Sequence, residues 1–109
     1  MTNDELLELT KLNLQIAGST FDEYLATLII PAAKSAIEQE GITLDLSDVG
    51  DCNLVVMYAA YLYRKRAEST VNGNLSWAAG MPRMLRYALN NRLFSEKMKA
   101  EESDSEGGA

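Results

Sequence analysis

The sequence predicts an all-α fold, a compact bundle of about four helices with a central apolar third helix and one long loop between helices three and four. Three observations carry this. Apolar residues recur at i, i+3, i+4 and i+7 through most of the chain. Leu, Ala and Met outweigh the β-branched residues, which favours helix over sheet. The stretch from Asp51 to Arg66, DCNLVVMYAAYLYRKR, is apolar on nearly every face and ends in three cations. A helix that is hydrophobic all round must be enclosed by its own domain or by neighbouring chains. Its apolar run is too short for a bilayer, which needs roughly 20 residues. At 109 residues the chain is one domain, small enough that assembly with copies of itself would add useful buried surface.

Taken in order, Thr2-Asn-Asp-Glu5 has capping-box spacing and opens a first helix, expected from about Asn3 to Ile16 with its stop at Ala17-Gly18. Thr20-Phe-Asp-Glu23 repeats the box. It starts a second helix whose apolar stripe is expected to be Phe21, Tyr24, Leu25, Leu28, Ile29, Ala32, Ala33, Ala36 and Ile37. Pro31 predicts a kink inside it. Glu38 and Glu40 place acids at the unfavourable end of the helix dipole before Gly41, where a partner's cation would relieve them.

Ile42 to Leu46 alternates apolar and polar, the pattern of a short extended segment. Ser47, Asp48 and Asp51 are N-cap candidates for the third helix, expected over about Cys52 to Arg66 with its cations at the favourable end. Residues 68–80 are rich in Ser, Asn and Gly and read as the long loop, with a tight turn at Asn72-Gly73 as one option. Within it, Trp77 is either an interface anchor or a side chain folded back on its own core. Met81-Pro82 opens the fourth helix, with Met84, Leu85, Ala88, Leu89, Leu93 and Phe94 as its expected buried stripe. The organisation is therefore a helical domain over residues 1–99 and an acidic, disordered tail over 100–109.

Catalytic chemistry finds little support. Histidine is absent, which removes the usual general base and the commonest transition-metal ligand. Cys52 is the only cysteine and reads as a buried structural thiol. The glycines match neither phosphate-loop nor dinucleotide spacing. Asp45, Asp48 and Asp51 have a calcium-loop look, but the loop's glycine and distal glutamate are missing. The expectation is a protein that is not an enzyme and that has no cofactor or metal site. Without a charged-then-apolar leader, it is expected to stay in the cytoplasm where it is made.

The net charge of −6 conceals a segregation. Residues 1–51 carry ten acids against Lys11 and Lys34, whereas residues 52–99 carry eight bases against Glu68 and Glu96. The tail adds Glu101, Glu102, Asp104 and Glu106. A dipolar subunit suits head-to-tail packing of acidic face on basic face; a mixed solvated surface is the plainer alternative. Arg64, Lys65, Arg66, Arg83 and Arg86 are the candidate interface cations, with Trp77 as a possible anchor. A small DNA-binding regulator remains the alternative function, since the same cations can touch phosphates. Against it stand the overall acidity, with a pI near 4.5, and the separation of the third and fourth helices by more than a short turn.

The segments MPRMLRYALNNRLFSEK (Met81 to Lys97) and DCNLVVMYAAYLYRKR, with the acidic ITLDLSD before them, resemble the head–tail connector (adaptor) proteins of tailed bacteriophages and prophages. The likeness covers roughly residues 2–99 and rests on the order of these pieces. It implies a helical structural subunit of the virion, assembled in the host cytoplasm. It further implies a homo-oligomeric ring, of about twelve copies when templated by the portal. The implied partners are the portal protein and a tail-completion protein. DNA would be a non-specific passenger in the ring's channel, and no membrane is involved.

Overall fold

The computed structural model describes the backbone of residues 2–72 and 81–107 and the side chains of residues 2–65 and 81–99. Four helices and no strand are found among these described residues. α1 spans Asn3–Leu14 and begins in the expected capping box. The Glu5 amide donates to Thr2 Oγ1 at 3.2 Å, and the Thr2 amide donates back to Glu5 Oε1 at 3.3 Å. The helix stops earlier than expected, at Gln15, which sits in the left-handed region with φ 61°. The Gln15 and Ile16 amides donate to the carbonyls of Leu12 (3.2 Å) and Lys11 (2.9 Å), the paired bonds of a Schellman ending. Ile16 packs against the core, and that apolar contact sets the stop ahead of Gly18.

α2 is a composite: an α-helical turn at Asp22–Tyr24, a π-helical stretch at Leu25–Ile29 and an α-helix over Ile30–Gln39. The second capping box does not form. The residue flanking the helix is Phe21, which makes no side-chain cap, and the Asp22 amide donates to Ser19 O at 3.2 Å in a turn instead. The Asp22 carboxylate pairs across to Lys11 Nζ at 2.8 Å. Just before Pro31, the Ile30 amide reaches back five residues to Leu25 O. In a regular helix the proline ring would press on the carbonyl of residue 27 and leave it without a donor; the wider π turn accommodates both defects. The extra residue also rotates the stripe. Leu25, Ile29, Ile30, Ala33 and Ile37 are buried, whereas Phe21, Leu28 and Ala32, expected in the core, are exposed.

Residues 42–46 keep their predicted alternation, with Ile42 buried, Leu44 and Leu46 half-buried, and Thr43 and Asp45 exposed, although no partner strand receives them. The Cys52 amide donates to Asp48 O at 3.1 Å, so Asp48 flanks the start of α3, which spans Val49–Asn72. α3 is longer than expected at both ends, and residues 68–72 of the expected loop belong to it. Trp77 and the rest of that loop, from Gly73 to Gly80, lie outside the described residues. α3 is central: it packs against α1, α2 and the last helix, α4, which spans Arg83–Gly107. Leu54, Val55, Val56, Ala59 and Ala60 are buried, and Met57, Tyr58, Tyr61, Leu62 and Tyr63 are half-buried against the same core. Cys52 is buried, its thiol 3.1 Å from Leu46 O.

Two expectations fail in α4. Leu85 and Leu89 are buried and Ala88 and Leu93 half-buried, yet Met84 and Phe94 point away from the core. Nor does the helix end near Lys99. Its backbone stays helical through Gly107, where a disordered tail was expected; no proline follows Pro82 to interrupt the ladder.

Candidate functional site

Among the described residues, the predicted interface cations meet different surroundings. Arg64, near the middle of α3, donates from Nη2 to the main-chain oxygen of Asn13 at 3.1 Å and to its Oδ1 at 3.3 Å. It thereby satisfies one of the free carbonyls at the end of α1. Lys65 lies over the ring of Tyr61, with Nζ 5.7 Å from the centroid. Arg86 on α4 pairs with Glu40. Glu40, one of the two acids closing α2, therefore receives its cation from within the chain. Arg83 is exposed at the start of α4. Arg66 and Trp77 lie outside the residues whose side chains are described.

A polar clip unanticipated from the sequence joins three elements. Arg92 on α4 donates from Nε to Asp51 Oδ1 (2.7 Å), from Nη2 to Asp51 Oδ2 (3.3 Å) and to Thr43 O (2.7 Å), and from Nη1 to Glu96 Oε2 (2.8 Å). Asp51, only 2% exposed, also accepts the Asp45 amide at 2.9 Å. Glu96 accepts the Thr43 amide at 3.3 Å. The guanidinium fork and its two carboxylates thus hold residues 43–45 against α3 and α4. Bonding to Arg92 first, and then to Thr43, holds the Glu96 carboxyl below its ordinary range. Arg92 itself is pushed further up by Asp51. The Ser47 hydroxyl and amide lower Asp45, and Asp22 raises Lys11. The i, i+4 spacing of Arg92 and Glu96 and an acid embedded in the apolar start of α3 were the available signals.

Two apolar surfaces remain uncovered by the described residues. One is a ridge along the outward face of α4: Met84 (77% exposed), Tyr87 (69%), Phe94 (65%) and Met98, with Asn91 among them. Alternating steps of three and four residues put these five on one stripe, opposite the Leu85–Leu89 face that enters the core. The other is an open groove of about 600 Å³ between α1 and the start of α3, lined by Leu9, Leu12, Asn13, Val49, Asn53 and Val56. Leu9 also borders a depression walled by Asp4, Glu5 and Glu8.

No group of three or more His, Cys, Asp or Glu side chains gathers as metal donors among the described residues, and no described helix is long and apolar enough to cross a membrane. Asp45 and Asp51, two of the calcium-like trio, are engaged with Ser47 and Arg92. Among the described residues the arrangement offers two exposed apolar surfaces, the α4 ridge and the α1–α3 groove. No family model, curated protein or solved structure matches the chain.

Proposed function

We propose that this chain is a structural, non-catalytic subunit of a tailed-phage or prophage virion, assembling into a ring that connects the capsid portal to the tail and continues the DNA channel. The observation that carries the reading is the outward ridge of α4. Four large apolar side chains stand in solvent on the segment whose sequence, MPRMLRYALNNRLFSEK, resembles the connector family. Exposed apolar rows of this kind mark contact with another protein surface. A small all-helical brick with a rigid central rod suits a load-bearing role, and a closed ring needs only one heterologous contact repeated around an axis.

Electron microscopy of the purified chain, alone and with the portal protein encoded beside its gene, tests the proposal. Closed rings with an axial channel, or added density on the portal, are expected. A chain that neither assembles nor binds the portal, in a gene neighbourhood without capsid or portal genes, would overturn it.

A further inference from the structure

We infer that the α4 ridge of one copy seats in the α1–α3 groove of a second copy of this chain. The inference deepens the ring reading and rests on its self-assembly step, not on the portal.

Shape and charge select this pairing. The ridge is convex: Met84, Tyr87 and Phe94 project from a helix whose other face is fixed by Leu85, Leu89 and the Arg92 clip. From Met84 to Met98 it runs about 21 Å. The groove is concave and floored by Leu9, Leu12, Val49 and Val56. Beside the ridge stand exposed Arg83 and Lys97. Beside the groove stand exposed Asp4, Glu8 and Asp48, three acids against one base, Arg64, which is held on Asn13. Ridge on groove therefore brings apolar surface onto apolar surface with basic flanks against acidic ones. Ridge on ridge would set these bases near their own copies, and groove on groove would crowd the acids. The pair keeps one free ridge, on one copy, and one free groove, on the other, so the contact is head-to-tail and propagates to a ring or filament. The segregated charge of the sequence acts here through its exposed members, because Arg86, Arg92, Glu40 and Asp51 are already paired within the chain.

Sedimentation velocity on two interface variants tests this. The ridge variant carries Tyr87→Glu and Phe94→Glu; the groove variant carries Leu12→Glu and Val49→Glu. All four positions are exposed, and melting followed by circular dichroism checks that the variants fold; should either double variant unfold, the same positions are changed to Ser. Each variant alone is expected to stay monomeric where the parent assembles, with association weakened by more than about tenfold. Mixed together, the two are expected to form a 1:1 heterodimer that grows no further, since one intact ridge then meets one intact groove. Undiminished assembly of either variant, a mixture that stays monomeric, or a parent that never self-associates would overturn the pairing. A parent that assembles through these surfaces into open filaments, closing no ring and leaving the portal unbound, keeps this inference and removes the connector reading. Portal binding without ridge–groove association does the reverse.

Discussion

Arg92 holds the carboxylate of Asp51 across the α3–α4 interface through two contacts of 2.7 and 3.3 Å, and Asp51 is almost wholly removed from solvent. Arg92→Ala would leave that carboxylate buried with the Asp45 amide as its remaining donor. A loss of about 3 kcal/mol is expected in urea unfolding, because breaking one side of a buried pair leaves an uncompensated charge. Asp51→Ala combined with Arg92→Ala should cost clearly less than the two single losses together. Simple additivity would show that the pair is not coupled.

The same clip predicts how stability responds to acid. Glu96 is held below its ordinary value of 4.5 by Arg92 and then Thr43. Its contribution is therefore complete above pH 4.5 and is lost as pH falls through the lowered folded value. Asp45, lowered by Ser47, acts in the same direction. Lys11 is raised above 10.5 by Asp22, so its contribution is complete below pH 10.5 and is lost only as pH rises beyond it. Melting temperature against pH should fall on the acid side, and Glu96→Gln should flatten that limb. An acid limb identical in the variant would remove Glu96 from the account.

The two capping boxes make a matched pair for mutation. Thr2→Ala removes a cap that is formed and should cost about 1 kcal/mol. Thr20→Ala touches a box that never closes and should stay within about 0.5 kcal/mol of the parent. Chemical denaturation of both variants checks the contrast, which an equal loss in each would contradict.

Backbone handedness predicts opposite signs at two turns. Gln15 has a φ of 61°, which glycine adopts without the Cβ penalty, so Gln15→Gly should stabilise the protein by about 0.5–1 kcal/mol. Gly41 has a φ of 105°, and a Cβ there would sit 3.3 Å from Leu93 Cδ1. Gly41→Ala should destabilise by more than about 1 kcal/mol. Thermal melts of the two variants would settle both signs.

Local chemistry was readable where neighbouring residues decide the outcome. The Thr2–Glu5 box, the all-round apolar α3 and the alternation of residues 42–46 each follow from side chains a few positions apart. What escaped depended on distant partners. Thr20–Glu23 has the same spacing as the working box, but Asp22 pairs with Lys11 and the chain turns at Ser19 instead. Pro31 announced an irregularity, but its form was a π turn that shifted the phase of the stripe and exposed Leu28. Apolar spacing places Met84 and Phe94 in the core, because it cannot distinguish a face turned inward from one turned outward. The basic block predicted outward contacts, but two of its arginines meet Glu40 and Asp51 of their own chain, at separations that periodicity does not reach.

The order in which the clip is made bears on how the chain leaves the ribosome. Asp51 emerges well before Arg92, and a lone carboxylate resists being closed into an apolar wall. Arg92 is supplied by α4, so the end of α3 beside Leu54, Val55 and Cys52 closes over Asp51 only with the helix that bears the outward ridge in place.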